Sequence, residues 1–169
     1  KYKINSILDA PCGDFNWIQG ILNNDIKYIG ADIVKDLIDK NLIKFYKKNI
    51  NFIQLDITTD SLPDTDLMIC RDCLIHLSFK RIKLFLQNFK KSNIKYLLVT
   101  SYEPKNSHKK IINLDIPDGE FREIDVLEPP FSLPKPKIKI LDKDEQSKTS
   151  GFNCYLYLYT KGQIESLVI

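Results

Sequence analysis

Long apolar runs are missing from this chain of 169 residues. Nothing approaches the roughly 20 consecutive apolar residues that a membrane-spanning helix needs, so a soluble protein is expected. A charged-then-apolar leader is missing too, so nothing directs the chain to secretion and a cytoplasmic setting is expected. The chain opens only a few residues before its first apolar run, as a piece lacking an N-terminal segment would. Excess charge is also scarce, with a formal net charge of +3. The densest basic group, Lys80, Arg81, Lys83, Lys90 and Lys91, falls on one expected helix without interleaved aromatics. That pattern reads as a solvated helix face, and nucleic acid is not indicated as a partner.

Phosphate-binding glycine patterns are absent. There is no G-x-x-x-x-G-K-[ST], and no three-glycine spacing that would admit a pyrophosphate. The four cysteines, Cys12, Cys70, Cys73 and Cys154, lack a metal framework. Only Cys70 and Cys73 are spaced C-x-x-C; His76 would make a third ligand, and no second close pair exists. A redox pair normally opens a helix, whereas these two end an apolar run. Buried thiols in a reducing compartment account for them, and no metal is expected.

What is present argues for a folded α/β chain. A hydrophobic fraction of 43% and an aromatic fraction of 11% exclude disorder. The length suits one domain over 1–169, burying about 68–70% of the surface its unfolded chain exposes. Apolar, β-rich runs at 6–9, 27–33, 51–57, 66–70, 96–101, 122–127 and 153–160 are expected strands. Helical spacing links Val34, Leu37, Ile38, Leu42 and Phe45, and again Ile82, Phe85, Leu86 and Phe89, with Ser78 placed to cap the second. A shorter helix after the first strand would carry Trp17, Ile18, Ile21 and Leu22 on one side. This alternation predicts a parallel sheet covered on both faces. Beyond Glu103 the pattern changes. Asp118-Gly119 reads as a turn entering the strand at 122–127, and Pro129, Pro130, Pro134 and Pro136 mark an extended loop. The final run, "NCYLYLYT", is expected to pair antiparallel at or near the sheet edge. No internal repeat or second domain is visible.

Open α/β sheets bind ligands beyond the carboxyl ends of their strands. Three acids fall at such ends, Asp9, Asp32 and Asp56, each about one strand-helix-strand unit after the last. Gly13 permits close backbone approach, and the helix start behind it offers free N–H groups. Asp32 is placed to accept two hydrogen bonds from a ribose diol, at about 1.5–3 kcal/mol each for a charged acceptor. Asp56 is placed to accept from an exocyclic amine. A nucleoside without a phosphate fits this set.

At these residues the sequence resembles the class I S-adenosylmethionine-dependent methyltransferases. Their first motif reads acid-x-Gly-x-Gly-x-Gly; here it is Asp9-Ala-Pro-Cys-Gly13-Asp-Phe15, with Pro11 and Phe15 in place of the outer glycines. "YIGADIV" and "FIQLDIT" match the acids of the second and third strands, and "DLMICRDCLIHLS" resembles the fourth-strand motif. The resemblance covers almost the whole chain. It implies a Rossmann-like methyltransferase fold: a mostly parallel seven-stranded sheet with an antiparallel C-terminal strand. It implies S-adenosylmethionine as cofactor, held by Asp9, Pro11, Cys12 and Gly13 in the first loop. Asp32 and Ile33, then Asp56 and Ile57, would hold the adenosine part. Arg71 would meet the methionine end or an anionic substrate. The wording "PCGDFNW", "CRDCLIHLSF", "GEFREID" and "PPF" is similar to a bacterial subgroup associated with capsular or other surface-polysaccharide decoration, including O-methyl phosphoramidate groups.

Methyl transfer is an in-line displacement in which the protein supplies alignment and electrostatics. A neutral hydroxyl acceptor gains from a general base, and His76 is the first choice, with Asp72 its rival. Asn16 and Trp17 are expected to wall the pocket, and Tyr102, His108 and Arg122 to grip an anionic acceptor, a small molecule or a saccharide. Two other readings stand beside this one: a non-catalytic nucleoside-binding module of the same fold, and a nicotinamide-dependent oxidoreductase, which the missing glycines disfavour.

Overall fold

A computed structural model of the chain describes residues 2–106, 110–142 and 151–167. In order it contains β1 (Ser6–Asp9), α1 (Asn16–Gln19), β2 (Lys27–Asp32), α2 (Lys35–Phe45), β3 (Ile50–Gln54) and β4 (Leu67–Cys70). A 3₁₀ turn (Leu74–His76), α3 (Phe79–Lys91), β5 (Tyr96–Pro104), β6 (Ile138–Asp142), β7 (Phe152–Thr160) and α4 (Lys161–Glu165) follow. The strands form one seven-stranded sheet in the order β3-β2-β1-β4-β5-β7-β6. β1 through β5 pair parallel, and β7 runs antiparallel to both β5 and β6. β7 is therefore the one reversed strand, one place in from the edge.

Alternation along the strands sends neighbours to opposite faces. Leu8, Met68 and Leu97 join one core cluster with Ile82, Phe85, Leu86 and Phe89 of α3 and Ile164 of α4. Ile7 and Ile69 join the other, with Ile18 of α1 and Ile38 of α2. Helices thus cover both faces. α3 follows its sequence pattern closely: all four spaced apolar residues are buried, and the Ser78 side chain accepts from the Arg81 N–H at the first turn. α1 is a single turn, ending at Gly20; only Ile18 is buried, and Ile21 is left exposed.

Three expectations are corrected. The segment 122–127 is not a strand. Ile124 and Val126 are buried, which produces the alternating pattern, but the backbone is satisfied without a ladder. The Val126 N–H donates to the Ser101 hydroxyl, Asp125 N–H to Asn113 Oδ1, and the Ile124 carbonyl accepts from Tyr102. The seventh strand is instead β6, which lies just past the prolines where a loop was expected. β3 also stops at Gln54, so Asp56 sits in the turn beyond it rather than inside the strand.

The chain order reverses between β1 and β4, and the crevice described next opens at the carboxyl ends of these strands. Among the described residues, no helix is long and apolar enough to cross a membrane.

Candidate functional site

Two hollows meet at this crevice. The first is a slot of about 90 Å³ walled by Ala10, Pro11, Ala31, Ile33, Leu55, Ile57, Cys73 and Leu77, with Asp32, Asp56, Thr58 and Arg81 as its polar members. The second is a wider cleft of about 530 Å³, lined by Pro11, Cys12, Gly13, Asp14, Asn16, Trp17, Asp32, Arg71 and Asp72. Pro11 and Asp32 belong to both.

Asp32 stands at the junction because of strand register. Asp9, the last residue of β1, pairs with Gly30, so Asp32 projects two residues past its neighbour. Its Oδ2 accepts from the Gly13 N–H at 3.3 Å and its Oδ1 from Val34 N–H at 3.0 Å. The carboxylate thereby ties the first loop to the start of α2. Asn41, buried on α2, clamps the same loop by donating to the Gly13 carbonyl at 2.8 Å. The loop turns through left-handed backbone at Gly13 (φ 54°) and Phe15 (φ 67°). Such a conformation costs a non-glycine residue about 1–2 kcal/mol. Phe15 offsets this by burying its ring among Tyr28, Phe45 and Phe52, with centroids 5.0–5.2 Å away, a burial worth about 1.5–3 kcal/mol. A phenylalanine in place of the third glycine therefore fits the turn.

Asp56 is equally well anchored. Oδ1 accepts from the N–H and hydroxyl of Thr58, and Oδ2 from Arg81 Nη2 at 2.7 Å. Burial alone would raise its pKa, but these donors outweigh it and the carboxyl titrates below its ordinary range.

Asp9 behaves differently. It is fully buried and lines neither hollow. Its Oδ2 accepts from the Tyr28 hydroxyl at 2.7 Å. Burial pushes its pKa up to about 7, against the opposing pull of Tyr28, Trp17 and the charge of Arg71. The expected trio of crevice acids is thus a pair, Asp32 and Asp56, with Asp9 sealed beneath. Burial, with the nearby Asp9 and Asp32, likewise pushes the Cys12 thiol up to about 12, so it is a neutral wall of the cleft.

Across the cleft, Arg71 Nε donates to Asp142 of β6 at 2.7 Å, Nη1 lies 3.1 Å from Asp72, and the guanidinium sits 5.1 Å from the Trp17 ring centroid. Burial opposes its charge, but Asp142 and Asp72 outweigh this and hold its pKa above the ordinary value. Asp72 occupies left-handed backbone (φ 51°), its N–H bonded to Thr100 Oγ1 at 2.8 Å. The remaining expected residues divide. Asn16 and Trp17 line the cleft, Asn16 donating to Asp14 at 2.6 Å. His76 lines neither hollow, although Cys73 and Leu77 on either side of it line the slot. Its Nδ1 is 2.9 Å from the Glu120 carbonyl, and its ring leans on Phe121. Tyr102 is buried in the core, away from both hollows. Arg122 is buried against the Phe79 ring, and among the described residues its guanidinium has no hydrogen-bond partner. Burial, partly countered by Asp115, pulls its pKa down. His108 lies outside the described residues.

Asp14, Tyr28, Asn41, Thr58, Arg81 and Asp142 were not singled out from the sequence as site residues, and Arg81, expected on a solvated helix face, instead lines the slot and pairs with Asp56. Asn41 alone left a sign, a polar residue three positions after Ile38 on the buried stripe of α2.

No protein-family model matches the chain, and no curated protein sequence matches it. Solved structures do. Human N-acetylserotonin methyltransferase, in complex with S-adenosylmethionine, overlays 91% of this chain at a TM-score of 0.62 and 16% identity; this chain spans 47% of that one, about half its length. An S-adenosylmethionine-dependent methyltransferase from Methanosarcina mazei overlays 94% of both chains at a TM-score of 0.65 and 12% identity. The N-methyltransferase NodS from Bradyrhizobium japonicum overlays 93% of this chain and 85% of its own, at 0.63 and 12%. At these identities the likeness is one of fold. The chain has the Rossmann-like fold of the class I methyltransferases, with the same mostly parallel seven-stranded sheet.

Proposed function

We propose that the chain is an S-adenosylmethionine-dependent methyltransferase that O-methylates a small-molecule or saccharide acceptor. The observation that carries this reading is the position of Asp32, a carboxylate shared by an apolar slot and an acid-lined cleft. A ribose between the two would offer Asp32 its diol. The slot's aliphatic walls and Asp56 suit a flat base bearing an amine. The cleft presents Asp14, Asp32 and Asp72 against one guanidinium, an excess of negative charge that suits a sulfonium and an ammonium. Bound there, S-adenosylmethionine would supply an electrophilic methyl group.

The protein's own part is to hold and align. Asp32, Asp56, Ile33 and Ile57 grip the adenosine end, and Pro11, Cys12 and Gly13 floor the methionine end, with Arg71 stacked on Trp17 as its wall. His76 is the proposed base. A carbonyl only accepts, so the nitrogen facing Glu120 carries the proton and Nε2 is left to take one from an acceptor hydroxyl. Asp72, which does line the cleft, is the other choice. The chemical identity of the acceptor, a saccharide or phosphoramidate in surface-polysaccharide biosynthesis, rests on the resemblance of "PCGDFNW" and "GEFREID" to that subgroup.

The test is mass-spectrometric detection of S-adenosylhomocysteine and of an acceptor gaining one methyl, using phosphoramidate-bearing and plain sugars. Methylated product that falls in His76→Ala, with cofactor affinity kept, supports the reading. One observation favours a second reading, a non-catalytic nucleoside-binding module: His76 lines neither hollow. Cofactor binding with no turnover on any acceptor would support that module.

A further inference from the structure

Arg81 lies in the first turn of α3. It lines the slot and holds Asp56 at 2.7 Å. Its Nε points the other way, 3.9 Å from Asp118 Oδ2, and among the described residues this buried nitrogen has no hydrogen-bond partner. Asp118 belongs to the segment 115–122, which is fastened to the elements around the slot at several points. Asp115 Oδ1 accepts from Phe79 N–H and Asp118 Oδ1 from Ser78 N–H, each at 2.7 Å. Gly119 N–H donates to the His76 carbonyl at 2.7 Å, and the Glu120 carbonyl faces His76 Nδ1. The segment therefore sets the orientation of His76, and among the described residues Arg81 is the charged side chain that both lines the slot and faces this segment.

We infer that Arg81 is a positioning residue that couples occupancy of the slot to the placement of the 115–122 segment. The inference rests on the reading of the slot as the adenine site. Nε itself is buried, but the Arg81 and Asp118 side chains are 30% and 50% exposed, so solvent on the rest of the guanidinium and on the carboxylate screens the pair at 3.9 Å. A flat base entering the slot covers the guanidinium and removes that water. The lower local dielectric strengthens both ion pairs, and the unsatisfied Nε closes on Asp118. The segment, already bonded to the first turn of α3 and to His76, is held there more tightly, so the acceptor side is rigid only once the cofactor side is filled.

Amide hydrogen exchange read by mass spectrometry tests this, with S-adenosylhomocysteine as the probe. Asp118→Asn keeps an oxygen for the Ser78 N–H and removes only the charge. In the wild-type chain, the ligand should slow exchange across 118–122 by about tenfold, a coupling of ordinary size. In Asp118→Asn the slowing should vanish and calorimetric affinity should fall by about the same factor, since the coupling is reciprocal. Equal slowing in both proteins, or none in a wild-type chain that binds the ligand, overturns the coupling alone. No binding by the wild-type chain removes the adenine reading, and the coupling with it.

Discussion

The slot beside Asp56 and the cleft beside Asp72 share Pro11 and Asp32, yet they are held in different ways. Every polar group on the slot's carboxylates comes from a nearby turn or from α3: Thr58 and Arg81 on Asp56, Gly13 and Val34 on Asp32. The cleft depends on a longer reach. Arg71, at the tip of β4, is steadied by Asp142 from the far edge strand, 71 positions later in the chain. The slot is the pre-organised half, its carboxylates already anchored. The cleft is a charged half whose walls follow β1, β2 and β4 and whose arginine is braced from the edge strand β6. Binding energy is expected to come mainly from the slot and its shared acid, and alignment of the reacting end from the cleft.

The most damaging change should be to the acid both halves use. Asp32→Ala removes the acceptor for a ribose diol, two charged hydrogen bonds of about 1.5–3 kcal/mol each, and loosens the Gly13 loop as well. S-adenosylhomocysteine affinity should fall by at least about a hundredfold in calorimetry, with adenosine affected similarly.

Asp9→Asn comes next, and it tests the sealed floor rather than the crevice. Because the folded-state pKa is raised, to about 7, folding takes up a proton. Stability is therefore greatest below the unfolded value near 4 and declines as pH rises towards 7. On the order of 4 kcal/mol should be lost across that window in the wild-type chain. Denaturant unfolding of Asp9→Asn should lose most of that decline over the same range, keeping the smaller one from Asp125, which burial also raises, and should show more stability than wild type at pH 8.

A smaller effect would sharpen the contrast between the two halves. Asp142→Ala frees Arg71 and should weaken S-adenosylhomocysteine about three- to tenfold, in the range of a lost partly exposed ion pair, while leaving adenosine affinity unchanged. Equal losses for both ligands would mean the halves are not separate. Smallest is Ser78→Ala, which removes the α3 cap and should cost about 0.5–2 kcal/mol, read as a lowered Tm with ligand affinity intact.

The first half of the fold was legible because local pattern and tertiary role agree there. The α3 stripe, the Ser78 cap and the β1–β2 alternation mean the same thing in the sequence as in the sheet. The segment 122–127 was misread for a physical reason: burial on alternate residues imitates a strand wherever side chains such as Ser101 and Asn113 take over the ladder's hydrogen bonds. β6 was hidden by the prolines before it and by its exposure, since none of its five residues is buried. Asp9 and Asp32 look alike in sequence, each an acid ending an apolar run. Their fates differ because β2 outruns β1 by two residues, and because Tyr28, pairing with Ile7 two places before Asp9, shares its face and covers it. Register and cross-strand neighbours of this kind are not written in either segment alone. Arg81 and Asp142 were missed likewise, their partners lying 25 and 71 positions away.

The most direct test is a calorimetric titration of the wild-type chain with S-adenosylhomocysteine and, separately, with NAD. Measurable binding of the first, at least about tenfold tighter than the second, is the predicted result, since nothing in the first loop admits a pyrophosphate. No binding of S-adenosylhomocysteine, or tighter binding of NAD, would contradict the account of the crevice.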